Sequence, residues 1–156
     1  MSIMWILIGP SGSGKSTIVN KIKDENSNVE VYSFDILRLQ YYGGTYSEAW
    51  QASLDDKLFS KRVMDDFLSV LGANSDIIID NTNLTPKSRK MFVDEANKIG
   101  YEIRAVIFDV PLDVLLARQL TRTDKCVPEN AVRRQYNSLV MPTLSEVDVI
   151  INANDL

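Results

Sequence analysis

Gly9-Pro10-Ser11-Gly12-Ser13-Gly14-Lys15-Ser16 fits the pattern G-x-x-x-x-G-K-[ST] at every fixed position. The apolar run Ile3–Ile8 precedes it directly, and a helical pattern over Ser16–Lys23 follows it. Glycines let the backbone wrap closely around an anion, so that its N–H groups and the amino terminus of the next helix face phosphate. In this setting Lys15 is expected to reach the β- and γ-phosphates of a nucleoside triphosphate, and the Ser16 hydroxyl to ligate Mg²⁺. Gly9, Ser11, Gly12, Ser13, Gly14, Lys15, Ser16 and Thr17 form the expected nucleotide seat. The plain alternative is a glycine-rich strand-to-helix turn carrying an incidental lysine.

Outward from this loop, Asp76–Asp80, Ile103–Phe108 and Val147–Ile151 are short apolar runs, and Val29–Phe34 is a more polar one. Near-continuous β-branched runs suit strands covered on both faces. Between them, Thr45 with Glu48 makes a capping box, and Trp50, Leu54, Leu58, Val63, Phe67 and Leu71 continue a helical stripe up to Gly72. Thr85-Pro86 opens a helix that Gly100 stops; Pro111 and Pro128 open two more, over Leu112–Leu120 and Glu129–Leu139. The alternation predicts an α/β, three-layer P-loop NTPase/kinase fold with a mostly parallel five-stranded sheet and a helical lid. One domain is expected over residues 1–156, with the lid near 118–130.

The chain has 156 residues, 45% hydrophobic and 24% charged, with a formal net charge of −4. That balance argues against a coat protein that grips nucleic acid through a global basic field, but not against a local basic groove. There is no histidine, so a general base must be a carboxylate, and a single cysteine, Cys126, makes no intramolecular disulfide. No run approaches the roughly 18–20 apolar residues of a membrane span. The amino terminus lacks a basic leader, so a cytoplasmic protein with no membrane partner is expected.

A guanine-reading Asn-Lys-x-Asp is missing: Asn20-Lys21-Ile22-Lys23 and Asn97-Lys98-Ile99-Gly100 both lack the aspartate. A small kinase instead needs a carboxylate near an acceptor hydroxyl and arginines for developing phosphoryl charge. Strand ends gather at the ligand crevice of a doubly wound sheet. Ser33-Phe34-Asp35-Ile36-Leu37-Arg38 therefore offers Asp35 as base and Arg38 as a fork for an acceptor phosphate. A helix cap at Asp35 and a solvated Arg38 are the bland alternatives. Asp80-Asn81-Thr82-Asn83 ends another strand; its carboxylate could tune Mg²⁺ through water and its amides bind substrate, or it is merely a turn. Arg118 and Arg122 are four apart and could form a cationic lid, or be scattered surface charge.

Gly9–Thr17, Asp35-x-x-Arg38, Asp80 to Pro86, Phe108-Asp109-Val110-Pro111 and Arg118 to Pro128 occur in one order with one spacing. Together, over roughly residues 3–140, they resemble the 5′-kinase domain of T4-type bacteriophage polynucleotide kinases. The resemblance implies ATP- and Mg²⁺-dependent transfer of the γ-phosphate to the 5′-hydroxyl of a DNA or RNA end. It makes Asp35 the general base, Arg38 and Thr82 acceptor-side residues, and Arg122, with Arg118 beside it, the lid arginine on the donor phosphates. It implies Lys15 and Ser16 at the phosphates and metal. Where the phage enzymes read Asp-Thr-Asn, this chain reads Asn81-Thr82-Asn83, with Asp80 one residue earlier. Their 3′-phosphatase motif has no counterpart, so no 3′ activity is expected. A kinase for a small nucleoside, nucleotide or sugar, and a nucleotide-binding module without chemistry, remain the competing readings. Oligomeric state is open.

Overall fold

The computed structural model describes residues 1–73 and 75–156. The aliphatic runs form strands β1 (Ile3–Ile8), β2 (Val29–Tyr32), β3 (Asp76–Ile79), β4 (Glu102–Ile107) and β5 (Val149–Asn152). They lie in the order β2-β3-β1-β4-β5, and every pairing is parallel. Successive side chains on a strand point to opposite faces, so each face of a central parallel strand needs its own cover. Helix α1 (Lys15–Glu25) covers one face, setting Ile18, Val19 and Ile22 against Leu7, Ile78 and Val106. Helices α4 (Phe59–Leu71) and α5 (Pro86–Lys98) cover the other, where Val63, Phe67, Phe92 and Ala96 meet Met4, Ile6, Ile77 and Ile79. The fold is therefore the three-layer α/β architecture of P-loop kinases. No helix among the described residues is long and apolar enough to cross a membrane.

Three local expectations are corrected. The stripe from Trp50 to Leu71 is two helices, α3 (Tyr46–Asp55) and α4. Asp56 ends the first: its carboxylate accepts from the Leu58 N–H at 2.9 Å and from the Tyr42 hydroxyl at 2.7 Å. Only Val63, Phe67 and Leu71 enter the core; Trp50, Leu54 and Leu58 are exposed. Second, β2 stops at Tyr32, because Ser33 caps a helix α2 (Phe34–Tyr42) that begins where the strand was expected to continue. Third, β5 begins at Val149 rather than Val147 and is an edge strand with alternating exposure, not a fully buried one.

Arg89 on α5 is fully buried, and its guanidinium donates to both Glu146 oxygens at 2.6 and 3.2 Å and to the Asn83 carbonyl at 2.7 Å. The pair ties the carboxyl end of β3 to the chain before β5. Removing one partner of a buried pair leaves an uncompensated charge. Glu146→Ala is therefore expected to destabilise the fold by roughly 3 kcal/mol, visible as a lower urea midpoint at unchanged slope; an unshifted midpoint would contradict this role.

Candidate active site

The carboxyl ends of β1, β2 and β3 open onto one cleft of about 1380 Å³, the position that doubly wound sheets use for ligands. Its floor is the loop between β1 and α1. Gly12 and Gly14 have φ of 88° and 95°, a left-handed conformation that side chains resist. At Gly9 a Cβ would stand 2.8 Å from the Phe108 Cβ, so the close approach of β1 and β4 also requires glycine there. Gly14 caps α1 without a side chain, and no acidic residue occupies the first helical turn. The helix amino terminus is thus left to an external anion. The Ser13 hydroxyl instead donates inward to the Pro10 carbonyl at 2.6 Å, bracing the loop.

Lys15 folds back over this floor, donating to the Gly9 and Pro10 carbonyls at 2.7 and 2.8 Å. Burial above all, and then the nearby Lys125, lower its pKa to about 7, against the partial opposition of Asp80. Asp80, at the end of β3, has its pKa raised by burial, with Lys15 and Lys125 pulling the other way. Each group is desolvated in the same pocket, so an acid and a base that would both be charged in water are pushed toward neutrality.

Asp35 and Arg38 share one face of α2, three residues apart, and Arg38 Nη1 donates to Asp35 Oδ1 at 3.1 Å. Asp35 does not cap the helix; Ser33 does, leaving the carboxylate to line the cleft. Lys125, from the opposite wall, pairs with Asp35 Oδ2. Arg38 is no solvated charge either: its guanidinium carbon sits 4.3 Å from the Trp50 ring centroid and 5.1 Å from that of Phe59.

The opposite wall is α6 (Leu112–Thr121), the segment 122–128 and α7 (Glu129–Ser138), held by a small core of Leu115, Val127 and Val132 separate from the sheet. Arg122 donates to the Ser11 hydroxyl at 3.1 Å and pairs with Asp124 at 3.4 Å, while Arg118 donates to the Gly12 carbonyl at 2.8 Å. Both expected lid arginines therefore overhang the phosphate loop. Lys15, Arg38, Arg118, Arg122, Lys125 and Arg134 line the cleft against Asp35, Asp80, Asp109 and Asp124. It is locally cationic although the chain is acidic.

Ser11, Gly12, Ser13, Gly14, Ser16, Thr17 and Thr82 all line the cleft, and the Thr82 carbonyl accepts from the Gly9 N–H at 3.0 Å. Gly9 and Asn83 do not line it. Asn83 is buried with φ 49°, and its Nδ2 donates to the carbonyls of Leu7, Ile79 and Asn81 at 2.7–3.2 Å. It clamps the ends of β1 and β3 together, so the expectation of a substrate contact is corrected. Asn81 lines the cleft in its place, its Oδ1 accepting from the Phe34 N–H at 2.8 Å while its Nδ2 is buried without a partner.

Sequence reasoning missed Gln119 and Gln135, which fasten α6 and α7 to the loop. Gln119 Nε2 donates to the Ser11 carbonyl at 3.1 Å and its Oε1 accepts from Val127 N–H at 3.2 Å. Gln135 Oε1 accepts from the Ser11 N–H at 2.8 Å. Neutral amides carry no motif, and only the helical spacing of Gln119 with Leu115 marked it as inward-facing.

A phosphate loop at a parallel-sheet switch point, roofed by arginines, defines a P-loop kinase-type phosphotransferase fold. The chain belongs to the AAA domain family, whose profile matches residues 4–142. It is 27% identical over 146 residues to the "Putative bifunctional polynucleotide kinase/RNA ligase" of Autographa californica nuclear polyhedrosis virus, covering 88% of this chain but only 21% of that protein. A chain of the Pnkp1/Rnl/Hen1 RNA repair complex superposes with a TM-score of 0.69 at 25% identity, over 88% of this chain and 44% of that one. The chain thus spans less than half of either relative. A gluconokinase from Sinorhizobium meliloti 1021 shares the fold, with TM-score 0.60, 18% identity, and coverage of 96% and 82%.

Proposed function

We propose that this chain transfers the γ-phosphate of ATP to the 5′-hydroxyl of a DNA or RNA end. The observation that carries the reading is Asp35, a carboxylate in the phosphate-loop cleft with Arg38 on one oxygen and Lys125 on the other. Two cations around one acid leave a net positive charge beside the reacting position. That suits an acceptor whose alcohol neighbours a phosphodiester, and offers little to a neutral sugar. The names of the viral relative and of the repair complex point the same way.

In the reaction the hydroxyl takes the place that Lys125 holds on Asp35. The acceptor oxygen forms a bond to the γ-phosphorus as its proton passes to the Asp35 carboxylate, and the bond to the β-phosphate bridging oxygen breaks, releasing ADP. Lys15, the loop N–H groups and Arg122 oppose the charge spreading over the transferring group, and Arg118 steadies the donor from the lid. Arg38 and Thr82 hold the acceptor. The Ser16 hydroxyl, with Asp80 or Asp35 acting through water, fits Mg²⁺, which keeps waters and phosphate oxygens and needs few protein ligands. The metal supplies neutralisation of phosphate charge.

The competing reading is a kinase for a small acceptor. Incubation with γ-labelled ATP and a panel of 5′-hydroxyl DNA, 5′-hydroxyl RNA, nucleosides, sugars and gluconate separates the readings. Label on the oligonucleotide end is expected at the highest kcat/KM; a sugar or gluconate outrunning it sinks the proposal, and ATP binding without turnover on any acceptor leaves a binding module.

A further inference from the structure

Trp50 is a large aromatic residue left 41% exposed on the cleft wall, outside every core cluster among the described residues. The capping box of Thr45 and Glu48 fixes where α3 begins, which sets its helical phase and turns Trp50 and Ser53 toward α2. Trp50 lies against the Arg38 guanidinium at 4.3 Å. One turn on, the Ser53 Oγ accepts from Arg38 Nε at 3.0 Å and itself donates to the Trp50 carbonyl at 2.7 Å. Phe59 adds a second ring at 5.1 Å, and Asp35 accepts from Nη1. Nε and Nη1 are therefore engaged and the plane of the fork is fixed. Nη2 makes no hydrogen bond among the described residues, and the side chain is 12% exposed.

We infer that Trp50 is a positioning residue that pre-orients Arg38 toward a phosphate one step from the reacting hydroxyl. This rests on the kinase reading and names how that site selects a phosphorylated acceptor. An arginine free in solvent loses rotamer entropy each time it grips an anion, whereas a guanidinium already stacked and hydrogen-bonded has lost it on folding. Stacking on indole is also the strongest of the ring–cation contacts, and a lysine ammonium could not reproduce the planar fork.

The test compares wild type, Trp50→Ala and Trp50→Phe on a nucleoside 3′-monophosphate and on the same nucleoside without phosphate, at saturating ATP. For the phosphorylated acceptor, Trp50→Ala is expected to raise KM about tenfold with kcat nearly unchanged, and Trp50→Phe to recover most of the loss. With the bare nucleoside the variants should match wild type within about twofold, and in an Arg38→Ala background the Trp50 effect should vanish. Equal losses on both acceptors, a persisting effect without Arg38, or a raised KM for ATP overturn the inference, marking Trp50 as a base-stacking or fold-holding residue. If wild type transfers nothing to either acceptor, the kinase reading fails by itself. Calorimetric binding of the 3′-monophosphate then decides the role of Trp50: about tenfold weaker binding by Trp50→Ala sustains it, and equal binding ends it. Should Trp50→Ala not fold, the same comparisons with Ser53→Ala apply, expected to weaken only the phosphorylated acceptor.

Discussion

Asp35→Asn is expected to reduce kcat for 5′-hydroxyl phosphorylation by about 10²–10⁴-fold, the usual contribution of a positioned general base. The substitution keeps size and an acceptor oxygen for Arg38 Nη1, so the α2 contact survives while the proton acceptor is lost. With no histidine in the chain, the other carboxylates on the cleft are Asp109, Asp124, which pairs with Arg122, and Asp80, whose pKa burial raises. Affinity for ATP, measured with a non-hydrolysable analogue, should change little, because the Asp35 carboxylate is held by Arg38 and Lys125 rather than by the phosphate loop. Turnover within tenfold of wild type would remove Asp35 from the chemistry. A matching collapse of ATP binding would mean that the substitution had disturbed the whole cleft.

Lys15→Met should lower kcat/KM by about 10²–10³-fold, as expected when one pre-organised donor to developing charge is removed. The same lysine gives a pH signature. In the nucleotide-free protein its pKa stands at about 7 against an ordinary 10.5, chiefly through burial. Between those values the unfolded chain holds more protons than the folded one, so empty-protein stability rises with pH across that window. Below pH 7 the buried ammonium costs its full amount, and Lys15→Met should there be more stable than wild type by urea denaturation. Phosphates favour the ammonium, so nucleotide binding should take up a proton above pH 7. Calorimetry at pH 8 in buffers of different ionisation enthalpy measures that uptake. No uptake, together with no stability gain in Lys15→Met at pH 6, would contradict the depressed pKa.

Much of the machinery was legible because it rests on local rules. The phosphate loop needs glycines at fixed spacing, and Thr45 and Thr85 announced their helices through side chains that bond only a few residues away. Asp35 and Arg38 were readable as a pair because one helical turn separates them. Asn83 was misread because Asn at a strand end looks the same in sequence whether its amide faces a ligand or, as here, the backbone of β1. The Trp50–Leu71 stripe was misread for a related reason: periodicity ran on through Asp56, whose side chain ends one helix and starts the turn to the next.

By itself the sequence determined the layers, the parallel strands and the loop that seats an anion, since apolar periodicity and glycine conformation act within a few residues of one another. Only the tertiary structure decided the long-range partners around the cleft. Lys125 reaches Asp35 across 90 positions, Gln135 reaches Ser11 across 124, and Trp50 meets Arg38 from a different helix. Those contacts depend on where whole helices land on the sheet, which packing of the buried faces sets and no short stretch of chain encodes.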